Sequence, residues 1–163
     1  MNTFFHFYIW RSRLIIPTSA RTGEGFYLDV EPVVIVSLDD VQAMKDALLE
    51  AVSQDNPLVV TPDPAALPGS VVLEKLDLRR WADFEREATL YTIHRAENSI
   101  NVHVTGRGKD GMWRQAAENM MTFPPDTPLA GLVAVVAGDV LARREALARQ
   151  QQVPLLGPPR KKD

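Results

Sequence analysis

The chain has 163 residues, 45% hydrophobic and 24% charged, with a net charge of −3 and no cysteine. That balance supports one packed core and excludes a disordered chain, a disulfide scaffold and a thiolate metal site. No apolar run approaches the roughly 20 residues of a membrane span. The aromatic start, "MNTFFHFYIWRSR", lacks the basic and small-residue flanks of a secretory signal, so a reducing cytoplasm is the expected setting.

"TFFHFYIW" sets Phe5, Phe7 and Ile9 against Phe4, His6, Tyr8 and Trp10. Both sets are apolar or aromatic, which predicts a strand buried on at least one face. "RSR" interrupts it, "LIIPT" resumes it and "TGEG" is a turn. "FYLDVEPVVIV" is extended, with Pro32 marking a break or an edge. An antiparallel meander therefore opens the chain. "SLDDVQAMKDALLEAVS" predicts an amphipathic helix capped by Ser37, Asp39 or Asp40, with Val41, Met44, Leu48 and Val52 on one face. "QDNPLVVTPDPAALPGS", with four prolines, reads as an ordered loop holding one short strand. "SVVLEKL" reads as a strand. "DLRRWADFEREA" reads as a short helix capped by Asp77, with Leu78, Trp81, Ala82 and Ala88 inward and Phe84 beside that stripe.

"ATLYTIHRAENSINVHVTG" predicts a hairpin. Setting Ile93 opposite Ile100, Tyr91 opposite Val102 and Thr89 opposite Val104 makes one face uniformly apolar or β-branched. "GRGKDG" is a loop, and a strand is expected around Met120 to Phe123. The last element is a helix with Thr127 as N-cap and Pro128 at its first position. Leu129, Leu132, Val133, Val136 and Val140 form its apolar face, and charge dominates after Asp139. The expected architecture is an α+β, single-domain two-layer sandwich over residues 1–150. Its mainly antiparallel sheet carries helices packed on one face. Residues 151–163 are expected to form a flexible tail.

Chemistry is harder to read. The predicted register places His94 and His103 roughly 13 Å apart at ~3.3 Å per residue, too far to share a metal, and His6 stands alone. "GRGKDG" offers glycine amides with Arg107 and Lys109 between them, but it lacks a Walker or dinucleotide spacing, and a glycine-rich turn between strands is the better reading. Arg79, Arg80, Trp81 and Arg86 share a helix with Asp83, Glu85 and Glu87, which fits packing with a salt-bridged outer face better than single-strand binding. No cofactor or metal site is expected.

Residues 1–75 carry ten acids against five bases, which disfavours nucleic acid and suits a basic protein partner. Asp29 and Glu31 point to the same side of a strand about 6.6 Å apart at their backbones, too far for a shared proton. They are either a solvated strand face or part of an acidic contact patch.

At "IPTSARTGEGFYLDVEPV", with "VVLEKLDLRRWADFEREATLYTI" and "FPPDTPLAGLVAVV", the chain resembles small bacterial immunity proteins of contact-dependent growth inhibition systems. The resemblance is one of pattern and runs from about Ile15 to Val140. It implies a cytoplasmic, non-enzymatic protein that binds the C-terminal toxin domain of a large exoprotein, often a nuclease. Binding would block the toxin's active or substrate-binding surface, with no nucleic-acid or membrane partner. On that reading Glu24, Asp29, Glu31, Asp39 and Asp40 supply charge and Phe26 or Tyr27 an anchor. The alternatives are a small enzyme or ligand-binding domain using the hairpin and glycine loop of residues 89–111, or a self-associating assembly subunit.

Overall fold

The structure, a computed structural model, describes residues 2–66, 69–107 and 113–152. In chain order these form β1 (Thr3–Trp10), β2 (Arg13–Thr22), β3 (Tyr27–Ser37), α1 (Val41–Ser53), β4 (Leu58–Val59), α2 (Val71–Lys75), α3 (Trp81–Glu85), β5 (Thr89–Arg95), β6 (Ile100–Arg107), β7 (Trp113–Phe123) and α4 (Leu129–Gln152). The sheet runs β3-β2-β1-β5-β6-β7 with antiparallel neighbours, and β4 joins β2 in parallel. This is the expected α+β class. Among the described residues, no helix is long and apolar enough to cross a membrane.

β1 lies mid-sheet, and its two residue sets bury in two separate cores. Phe5 and Phe7, with Leu14, Ile16, Tyr91, Ile93, Val102 and Val104, pack under α1 and α4. Met44, Leu48 and Val52 of α1 meet Leu132, Val133, Val136, Ala137 and Val140 of α4 there, so the apolar faces read from both helices are buried, except at Val41, which is exposed at the start of α1. Tyr8 and Trp10, with Ile15 and Val33, pack on the opposite face against Val72, Phe84 and Ala88. The expectation of helices on one face therefore holds for the two long helices and fails for α2 and α3. A central strand that is apolar on both sides needs cover on both.

"SVVLEKL" is helical rather than extended. The Ser70 hydroxyl accepts a bond from the Leu73 amide at 3.3 Å, and Val72 is the one side chain fully buried, so no period-two face exists to hold a strand. Asp77 does not cap α3: it sits in a turn at φ 53°, Arg80 holds the N-cap position, and Phe84, not Ala82, is the buried anchor. Its ring lies 5.0 Å from Tyr8 and 5.2 Å from Trp81. Asp40 caps α1 by accepting from the Ala43 amide. α4 starts at Leu129, and the Thr127 hydroxyl turns back to the Pro124 carbonyl instead of capping it. β7 is longer than expected. The expected tail and the glycine loop fall mostly outside the described residues, although Gln151 and Gln152 belong to α4 and Gly106 and Arg107 to β6.

Two local devices shape the sheet. β1 pairs with β2 over Tyr8–Trp10 against Arg13–Ile15. Nearer the start of β1, Asn56 bridges the two strands: its side chain bonds the Phe4 amide and carbonyl at 2.9 and 2.7 Å and the Ser19 carbonyl at 2.8 Å. The chain then leads into β4, which lies beside Arg21 and Thr22. On the other side, β3 carries a bulge: Pro17 faces Val33 but Thr18 faces Val30, leaving Glu31 and Pro32 as extra residues. Replacing Phe84 with Ala should cost about 3–5 kcal/mol in urea unfolding, because it empties the anchor of the second core.

Candidate functional site

The seven residues read from the sequence as partner contacts do not form one patch. Glu24 and Phe26 stand exposed at the β2–β3 turn, where Gly25 adopts φ 90° and the Thr22 amide bonds the Phe26 carbonyl at 2.8 Å. Tyr27 is half-buried, with its ring 4.9 Å from Phe4. Asp39 and Asp40 lie at the far end of β3, roughly 30 Å away at ~3.3 Å per residue. There Asp40 caps α1 and Asp39 pairs with Arg144.

The Asp29–Glu31 pair is separated by the bulge. Glu31 is exposed, and its carboxylate accepts from the Val33 amide at 2.9 Å. Asp29 is turned onto the sheet and accepts from His6 Nε2 at 2.8 Å, with the two side chains only 23% and 11% exposed. The other ring nitrogen of His6, Nδ1, lies 3.1 Å from the Ser19 hydroxyl. A carboxylate only accepts, so in the neutral ring Nε2 carries the proton and Nδ1 accepts from Ser19. The composition matches a nucleophile–base–acid chain, but Ser19 is buried within β2, shielded from any acyl substrate. The chain of bonds instead ties β1, β2 and β3 across the place where Asn56 bridges β1 and β2. His6 is therefore not solitary. Sequence spacing could not find this cluster, because its members lie 10 or more positions apart and meet only through strand pairing.

The hairpin register differs from the expected one by two residues: Ile93 faces Val102 and Arg95 faces Ile100, with Glu97 and Asn98 at the turn. His94 now faces Asn101 and His103 faces Thr92, making the imidazoles diagonal neighbours at ~7–8 Å. Among the described residues, no group of three or more His, Asp or Glu is placed to hold a metal.

Two surfaces remain, the first adding to Glu24 and Phe26 residues that the sequence did not single out and the second wholly unforeseen. At the β2–β3 turn, Phe26 is joined by Leu58 and Val60, 75% and 91% exposed. β4 runs beside Arg21 and Thr22, and a Cβ placed on Gly23 would lie 4.0 Å from the Thr61 hydroxyl, so the turn and the "LVVT" loop form one end of the molecule. Exposed Glu24, Asp55 and Asp63 belong to the same segments. The signal was present as an apolar triplet between Pro57 and Pro62 with no periodicity to bury it.

The second surface is a cleft at the opposite end, beneath the C-terminal half of α4. It is lined by Arg11, Glu87, Tyr91, Arg143, Arg144 and Leu147, among others. The Tyr91 hydroxyl donates to Asp139 at 2.8 Å, and Arg143 bonds the same oxygen. Burial first, then the Asp139 carboxylate, holds the Tyr91 hydroxyl well above the usual tyrosine range. Burial, Asp29 and Glu85 do the same for Tyr8. The Arg11 guanidinium holds the Glu87 carboxyl below its ordinary range.

No family model matches the chain. No curated protein matches it. Among solved structures it is similar to a protein of unknown function from Neisseria meningitidis, NMB0488, at 14% identity and a TM-score of 0.59, covering 88% of this chain and 95% of that one. At that identity the likeness is one of fold.

Asp29→Ala should cost about 1.5–3 kcal/mol of stability, the range for hydrogen bonds to a charged group, read by chemical denaturation. Raising the pH above about 10 lets the unfolded chain shed tyrosine protons that Tyr8 and Tyr91 keep when folded. Stability therefore falls with pH there, and Tyr91→Phe should flatten that slope in melts between about pH 9 and 11.

Proposed function

We propose that this protein is a cytoplasmic, immunity-type inhibitor that binds the C-terminal toxin domain of a large exoprotein and covers a cationic substrate-binding surface on it. The observation that supports this reading is the gathering of Phe26, Leu58 and Val60 on exposed segments that also carry Glu24, Asp55 and Asp63. Apolar side chains give an interface its anchors, and surrounding acids steer a basic partner and set its orientation. A surface built to hold phosphates is basic, so it offers the charge that these acids complement.

The contact set is narrower and differently placed than the acids alone suggest. Glu24 and Phe26 remain, with Tyr27 at the rim. Leu58, Val60, Asp55 and Asp63 join them. Asp29 is engaged by His6, Glu31 by a backbone amide, and Asp39 and Asp40 sit at the other end of β3.

The experiment is a binding assay against the C-terminal domain of an exoprotein encoded beside this chain. Phe26→Ala with Leu58→Ala should weaken binding by about tenfold or more, as loss of an interface anchor does. Glu24→Lys with Asp55→Lys should slow association, and that effect should shrink at high salt. Asp40→Asn should leave association unchanged. Full-affinity binding by the Phe26/Leu58 double variant would sink the proposed surface.

A further inference from the structure

We infer that the cleft between the C-terminal half of α4 and the β1–β2 turn is a binding site for an amphipathic carboxylate, an apolar chain ending in a carboxyl group. It lies at the opposite end of the sheet from the proposed partner surface and does not depend on it. The cleft encloses about 570 Å³, within the roughly 300–1,000 Å³ of small-molecule sites. Its apolar surface comes from exposed Leu147 and half-buried Ile9, backed by Leu38, Val140 and Tyr91 of the core. A ligand chain laid there covers the exposed side chain of Leu147 and the open part of Ile9.

Three guanidiniums reach the same cleft, and they are held to different degrees. Arg11 forks onto Glu87 with bonds of 2.8 and 3.1 Å and lies 4.4 Å over the Trp10 ring. Arg143 is fixed by Asp139 and Asn119. Arg144 is paired with Asp39, whose side chain is 76% exposed. Exposed pairs contribute little to stability, so an incoming carboxylate replaces Asp39 at small cost. The planar fork of Arg144 then takes that group through two parallel bonds. Asp39 on this view is a placeholder for the ligand's own carboxylate.

The β1–β2 turn forms one wall of the cleft. Arg11 and Ser12, both lining the cleft, hold φ of 48° and 58° without glycine. These are the two central residues of the β1–β2 hairpin, with Trp10 facing Arg13, and a two-residue hairpin turn calls for φ > 0 at both. Here the Ser12 carbonyl accepts from the Leu38 amide at 3.0 Å, and Arg11 is clamped by Glu87. The turn is thus built as a rigid wall of the cleft.

Calorimetric titration of the whole chain with octanoate, and with octanol as the uncharged control, tests the site. Octanoate should saturate at one molecule per chain, with octanol weaker by about tenfold or more. Arg144→Met and Ala148→Trp, the latter filling the cleft from an exposed helix position, should each weaken octanoate about tenfold. Asp39→Asn should tighten it severalfold, a gain that loss of a structural ion pair would not produce. All three variants alter the helix surface or the α1 approach, and unchanged thermal melts confirm that each is folded. Absence of octanoate binding, equal binding of octanol, or affinity unmoved by Arg144→Met and Ala148→Trp would overturn the site.

Discussion

Everything in this fold follows from a central strand that has no wet side. β1 is aromatic or apolar at nearly every position, and it lies between β2 and β5. One face is covered by two long helices whose apolar stripes meet over Phe5 and Phe7. The other face needs a lid only where Tyr8 and Trp10 lie, and two helices of five residues each supply it. Toward the start of β1 that second face changes character. Phe4 shares its surroundings with Tyr27, and His6 is held by Ser19 and Asp29. The sheet is therefore sealed at one end by packing and tied at the other by hydrogen bonds.

This division gives the molecule two unlike ends. The hairpin end carries exposed apolar side chains and acids that are not needed to hold the fold. The α4 end concentrates arginines over a concave apolar floor, each guanidinium already matched to a carboxylate. The length of the sheet separates the two ends.

Much of the fold was legible because burial writes a period into the sequence. The opening meander, α1 and the buried half of α4 each show theirs, and each formed as read. The register error in the β5–β6 hairpin is instructive: a slip of two residues keeps every apolar side chain on its own face, so the pattern cannot exclude it. The turn decides, and here the Ala96 amide bonds the Ser99 carbonyl. "SVVLEKL" misled through the strand preference of valine, against which a single capping serine prevailed. The site was less legible for a different reason. Asp29 was visible as an acid, but its partner lies 23 positions earlier, and only the bulge and strand order bring His6 beside it. The cleft arginines are spread over two distant segments and carry no shared spacing.

The bulge in β3 also governs what the outer edge of the sheet can do. β3 is a long edge strand, and a continuous row of edge amides invites another chain to join the ladder. Midway along, Pro32 has no amide proton to offer, and the next amide, Val33, is already engaged by the side chain of Glu31. The regular ladder is thus interrupted at Glu31 and Pro32, and the strand bends there. Glu31, whose spacing from Asp29 first suggested a contact patch, spends its carboxylate on the backbone of its own strand. An edge interrupted in this way is a poorer template for a second strand than an unbroken one.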